Sequence, residues 1–253
     1  MLGWGEGVKP MGRRWSIWID IEGFSHLWNT DQNRGQHGIN ALITGIYAIG
    51  SKCYPDPGQR LFVHQFGDGF LIISDFEEHQ LDRCAAIAIV LMRYVALHGC
   101  LARAAIAEGE FGDFSGCWPE HIRDEMAQSD RSNGVYMGLG LMTLIPVMGT
   151  ALINANKLDS RNKMKGAILT IETQNLSRIS NGFSPMPIPD QCEISSLGWI
   201  HCDSPLIAEI ASLSQLQLPS CSETESLVRN YFNEFPKIEN CRKGTFVTNL
   251  MML

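Results

Sequence analysis

Apolar positions recur along the chain with two different periods. WSIWID at 15–20 is an apolar run closing on a carboxylate, and Glu22-Gly23 with Ser25 behind it reads as a tight turn and a possible helix cap. This predicts strand, turn and helix. The helix is expected to be interrupted near 31–38 and to resume through Ile39, Leu42, Ile43, Ile46, Tyr47 and Ile49. Tyr54-Pro-Asp-Pro-Gly58 stops it. RLFVHQF, Gly67-Asp68-Gly69 and FLIIS then form a hairpin signal, two β-rich runs around a glycine-flanked Asp. Alternation puts Arg60, Phe62, His64 and Phe66 on one face and Leu61, Val63 and Gln65 on the other. A second helix is predicted over 77–98 and a strand over 101–111. Strand, helix, hairpin, helix, strand is the order of an α+β, ferredoxin-like domain, an antiparallel-rich sheet with helices packed on it.

The stretch from Val135 to Ile153 carries no charge, and about 18 apolar residues can cross a membrane as a helix. Gly138, Gly140, Pro146 and Gly149 interrupt it, so we expect a strand within 135–146, a helix beginning near Gly149, and no membrane span. Beyond Lys157 the signals thin. Residues 167–172 suggest a late strand, 180–190 a Pro/Ser/Gly loop, and SETE from Ser222 a capping box before an apolar helical stripe. The expected division is a core domain over 1–160 and a C-terminal extension over 161–253 that completes or buttresses it.

Charge narrows the function. With 27 Asp and Glu against 20 Lys and Arg, net -7, the chain lacks the broad basic surface that holds nucleic acid. An anionic ligand must therefore be met locally. Eight cysteines occur without a CxxC pair or a histidine at zinc spacing, which argues for reduced thiols in a cytoplasm rather than a zinc module or disulfide framework. The N-terminus has no apolar core of a secretory signal.

Two carboxylates stand out by position, Asp20 at the end of the first strand and Asp68 in the hairpin turn. If the strands are neighbours, both converge at one end of the sheet, where hard oxygen ligands suit Mg²⁺ or Mn²⁺ completed by substrate phosphates. Each alone could equally be a turn residue. Gly23 would let backbone approach phosphates, with the amides of Phe24, Ser25 and His26 pointing to them; a plain cap at Ser25 is the alternative. Arg103, inside an Ala/Ile-rich strand, must be paired if buried, with a phosphate or with Glu108, Glu110 or another carboxylate.

DIEGFSHL at 20–27 and FGDGFLI at 66–72, in this order, resemble the two metal-binding motifs of the class III nucleotidyl cyclases, over residues 15 to about 160. The resemblance implies a homodimer with active sites between subunits, two Mg²⁺ or Mn²⁺ ions per site, and cyclisation of a nucleoside triphosphate with loss of pyrophosphate. It implies metal ligation by Asp20, Asp68 and the carbonyl of Ile21, a nucleotide pocket lined by Phe24, and triphosphate binding by Arg103. This chain departs from the family where purines are read: His64 and Pro146 occupy the positions of the two base readers. Ile153 and Lys157 replace the Asn and Arg of the helix that serves the transition state, and Lys157 keeps charge without bidentate geometry. These departures resemble the pyrimidine cyclases of bacterial Pycsar antiphage systems. That implies cyclic UMP or cyclic CMP as a signal to a separate effector. Arg60, on the His64 face, could bond a pyrimidine carbonyl, which favours UTP; it could equally be a solvated strand end.

Overall fold

A computed structural model describes residues 9–56, 58–114, 117–128, 134–137, 139–145, 147–235 and 238–251. The first strand, β1, runs Lys9–Ile21, longer than the apolar run, because it pairs along almost all of β4, Ala102–Asp113, with one bulge at Pro10/Gly12. Gly112-Asp113, a second Gly-Asp pair, thus closes a strand rather than forming a turn. Helix α1 is Phe24–Thr30 and α2 is Gln32–Cys53. The predicted interruption shrinks to one residue, Asp31, whose side chain caps α2 by accepting from the Arg34 amide. Gly38 lies inside α2, where the helix passes so close to Ile21 and Cys100 that an added Cβ would sit 2.9 Å from Cys100 Sγ.

The hairpin forms as read: β2, Leu61–Phe66, and β3, Gly69–Ser74, pair Phe66 with Gly69 across a two-residue turn. Gly67 takes φ 64, which a glycine adopts at no steric cost. Helix α3, Asp82–Leu97, is buried nearly throughout. After β4 come α4, Glu120–Gln128, a short hairpin of β5, Gly134–Met137, and β6, Gly140–Thr143, then β7, Val147–Met148, and α5, Thr150–Arg161. The uncharged stretch is thus strands and the start of a helix, and among the described residues no helix is long and apolar enough to cross a membrane.

The main sheet has the order β2-β3-β1-β4 and then continues. Strand β8, Leu169–Glu172, joins β4 in parallel, followed by β10, Gln191–Leu197, and β9, Pro185–Ile188. Residues 180–190, expected to be loop, hold β9, an edge strand where two prolines leave no central ladder bond unmade. Helices α6, Pro205–Ser214, α7, Cys221–Glu234, and α8, Glu239–Val247, end the chain. The capping box of α7 is Ser220 with Glu223, two residues earlier than the Ser222 reading.

Alternation along β1 divides the core. Ile17, Ile19 and Ile21 face α2, α3 and the C-terminal helices, in one buried cluster that reaches Trp199, Phe232 and Phe246. On the other face Leu71, Ile73, Ala107 and Phe111 pack against Ala151 and Ala155 of α5. That second face carries Ser16, Trp18 and Asp20, and the Ser16 hydroxyl donates to the Ala151 carbonyl at 2.7 Å.

Candidate active site

Asp20 and Asp68 come together at one end of the sheet. Asp20 stands on the last turn of the β1 pleat, paired in register with Arg103 of β4. Asp68 sits in the β2–β3 turn, near enough for its charge to act on Asp20. Between the two elements lies Trp18, two residues before Asp20 and therefore on the same face. Its indole N–H donates to Asp20 Oδ2 at 3.2 Å, and its ring fills the space over Gly69, where an added Cβ would be 2.5 Å away.

The other Asp20 oxygen, Oδ1, is buried without a hydrogen-bond partner. Burial first, then the Asp159 charge, pushes the Asp20 carboxyl up to about 7, against the opposing pull of Arg103. Burial raises Asp68 as well. A buried carboxylate with an open oxygen beside a second carboxylate is short of positive charge, which a divalent cation could supply. Among the described residues no group of three or more His, Cys, Asp or Glu is placed to hold a metal. Two carboxylates would leave the remaining positions of such an ion to backbone, water and phosphate oxygens, the ligand pattern typical of Mg²⁺. The Ile21 side chain is in the core, which fixes where the backbone leaves the sheet beside Asp20.

Arg103 is already partnered. Its Nε donates to Asp159 Oδ1 at 2.7 Å and one Nη to the Asp159 carbonyl at 3.3 Å, while the other Nη lies 3.8 Å from Glu22 Oε2. The partners are neither Glu108 nor Glu110; Glu108 is bound instead by Arg178 and Arg13. Asp159 stands on α5, far away in sequence, and only packing brings it here.

Gly23, with φ 72, is the N-cap of α1, so Ser25 lies inside the helix and is not its cap. The His26 amide is consumed by the Gly23 carbonyl at 2.9 Å, which removes it from the three amides expected to face phosphates. Among the described residues, the amides of Phe24 and Ser25 donate to no backbone acceptor. The Phe24 ring packs on Trp28, with centroids 5.5 Å apart, and against α2 at Gly35.

His64 shares the Asp20 face, opposite Leu71, with Nε2 buried and unpartnered. Burial lowers its pKa, so the ring is neutral near pH 7. Arg60 is not with it: both Nε and an Nη bind Asp75 Oδ2, at 2.9 and 2.7 Å, and the guanidinium lies over Phe62. At about 3.3 Å per residue it stands some 13 Å along β2 from His64, at the open end of the hairpin. Ile153 and Lys157 share the exposed face of α5, one turn apart. Pro146 lies outside the described residues.

No protein-family model and no curated protein matches the sequence. Solved structures do match. The guanylyl cyclase domain of the RhoGC fusion protein from the aquatic fungus Blastocladiella emersonii, described as a non-canonical dimer, aligns over 76% of this chain and 96% of its own, with 13% identity and a TM-score of 0.50. This chain has the class III nucleotidyl cyclase fold. A bacterial light-regulated adenylyl cyclase aligns over 83% of this chain and 57% of its own, at 13% identity and a TM-score of 0.48. Within this fold, Trp18, Glu22 and Asp159 are the site residues that the sequence did not single out. Trp18 was legible from the period of the strand; Glu22 and Asp159 were not, because their partner is Arg103.

Proposed function

We propose that the chain is a cytoplasmic homodimeric cyclase acting on a pyrimidine triphosphate, UTP in preference to CTP. Its product would be cyclic UMP with pyrophosphate, a second messenger in antiphage defence for a separate effector. The observation that carries the reading is the convergence of Asp20 and Asp68, with one Asp20 oxygen buried and open. Asp20, Asp68 and the Ile21 carbonyl would hold Mg²⁺ or Mn²⁺, and such ions lower the pKa of an attacking 3′ hydroxyl and stabilise pyrophosphate as it leaves. Trp18 fixes the Asp20 rotamer through its 3.2 Å hydrogen bond, leaving Oδ1 turned to the site.

The free amides of Phe24 and Ser25 and the outer nitrogen of Arg103 orient the triphosphate. His64 supplies a neutral imidazole for the base edge, and with Arg60 engaged by Asp75 the base reading rests on His64. The homodimer is supported by exposed apolar side chains on the β5–β6 hairpin and its neighbours: Leu139 fully exposed, Met137, Leu141, Met148 and Ile153 about half. Lys157, on the same outer face of α5 as Ile153, would serve the site of the facing copy.

The test is incubation of the purified protein with each of the four nucleoside triphosphates and Mn²⁺, with the product identified by mass. Cyclic UMP from UTP is expected, with none from Asp20→Asn. No cyclic nucleotide at all, or equal product from the variant, refutes the reading. The double pairing of Arg103 favours one second reading, a cyclase-like module that binds nucleotide without turnover; tight UTP binding with no product on long incubation would establish it.

A further inference from the structure

The loop that follows Asp20 is gripped from outside by the C-terminal helices. Cys241 of α8 donates its thiol hydrogen to Glu22 Oε1 at 3.2 Å. Burial, then the Glu22 charge, pushes that thiol up to about 12, so it stays a donor. His26 of α1 meets the Phe235 ring edge-on, 6.3 Å between centroids. Arg34 of α2 donates to Glu234 Oε2 at 2.5 Å and lies over the rings of Tyr231 and Phe235.

Glu22 is where these contacts meet the site. It is 6% exposed, unusual for a carboxylate, and its amide is anchored to the Leu101 carbonyl at 2.8 Å. One carboxylate oxygen takes the Cys241 thiol; the other faces the Arg103 nitrogen that Asp159 does not hold. That nitrogen is the part of the guanidinium left for a phosphate.

We propose that Glu22 is a positioning residue that couples the seating of α8 to the placement of Arg103, so that disturbing either contact weakens triphosphate binding before it unfolds the domain. The proposal rests on the triphosphate reading of the site. The Cys241 hydrogen bond orients the Glu22 carboxylate, whose other oxygen acts by charge on the outer Arg103 nitrogen across 3.8 Å while Asp159 holds the rest of the guanidinium; losing the thiol donor lets that charge shift relative to the nitrogen. The C-terminal helices thus become part of the binding machinery through a single side chain.

The test uses the full chain with Glu22→Gln, Cys241→Val and Cys241→Ser. Readouts are KM and kcat for UTP with Mn²⁺, direct UTP binding by calorimetry, and hydrogen exchange of the amides at 22–27. Glu22→Gln should raise KM about tenfold, the size seen for groups that orient a ligand-binding residue, with kcat nearly unchanged. Cys241→Val should move KM the same way by a smaller factor, and Cys241→Ser, which still donates, should behave as wild type. Exchange at 22–27 should quicken in Glu22→Gln and Cys241→Val while β4 stays protected. An unchanged KM in Glu22→Gln, or Cys241→Ser as damaging as Cys241→Val, overturns the proposal. If the wild type cyclises nothing, exchange and UTP binding still decide: quickened exchange with weakened binding sustains the coupling while the cyclase reading falls. Unchanged exchange in both variants overturns the coupling whatever the activity.

Discussion

Asp20→Asn should stabilise the cation-free protein while removing its response to cations. The Asp20 carboxyl is raised from 3.8 to about 7, chiefly by burial. A folded-state pKa above the unfolded one means that the folded form binds a proton more tightly, so the penalty is complete above about pH 7 and fades as pH falls toward 3.8. At about 1.4 kcal/mol per unit, three units bound the penalty at roughly 4 kcal/mol. Between pH 8 and 5.5 the wild type should recover about 2 kcal/mol of this through Asp20. An amide carries no charge to desolvate and can still accept from the Trp18 indole, so the variant should gain on the order of 2 kcal/mol at pH 8.

Urea denaturation with chelator present, at pH 8 and 5.5 for both proteins, measures these terms. The difference between the proteins isolates Asp20 from Asp68 and Asp159, which burial also raises. Millimolar Mn²⁺ at pH 8 should stabilise the wild type and leave the variant unmoved, because a ligand that binds only the folded form shifts the equilibrium by mass action. A variant less stable than wild type at pH 8 without metal would refute the reasoning, as would an Mn²⁺ response of equal size in both.

Trp18→Phe deletes the donor to Asp20 together with the outer edge of the indole that covers Gly69; turnover should fall about tenfold at a stability cost of about 1–2 kcal/mol, measured by initial rates and urea midpoints. Gly69→Ala drives a methyl against the Trp18 ring and should cost about 1–3 kcal/mol, with a loss of turnover greater than that of Trp18→Phe. Leu139→Asp, a fully exposed apolar position on the β5–β6 hairpin, should leave the melting temperature of the fold unchanged but shift the mass in sedimentation from dimer to monomer, with activity lost in parallel.

Period and punctuation in the sequence were enough for β1, the β2–β3 hairpin and α3. Ile17, Ile19 and Ile21 at period two, the Gly67-Asp68 turn and the helical stripe of α3 are local signals, and local chemistry sets those elements whatever surrounds them. The convergence of Asp20 and Asp68 was conditional on the hairpin lying beside β1, and the pairing of β1 with β3 supplies that condition. Weaker signals failed where packing decided: β9 forms on a proline-rich run because β10 offers it an edge, and Gly38, read as a break, is a glycine inside α2 where Cys100 and Ile21 leave no room for a side chain.

What the tertiary structure decided was partnership. Arg103 read as a cation in need of a phosphate or carboxylate and Arg60 as a donor to a base carbonyl or a solvated strand end, and nothing local could say that Asp159, Glu22 and Asp75 would reach them first. Charge pairing acts across space, between residues 56, 81 and 15 positions apart in these cases, so it is fixed only when α5 crosses the sheet, β1 pairs with β4 and the hairpin closes. The same holds for Cys241 and Glu22, 219 residues apart, where a C-terminal helix that carries no motif of its own comes to touch the residue that follows β1.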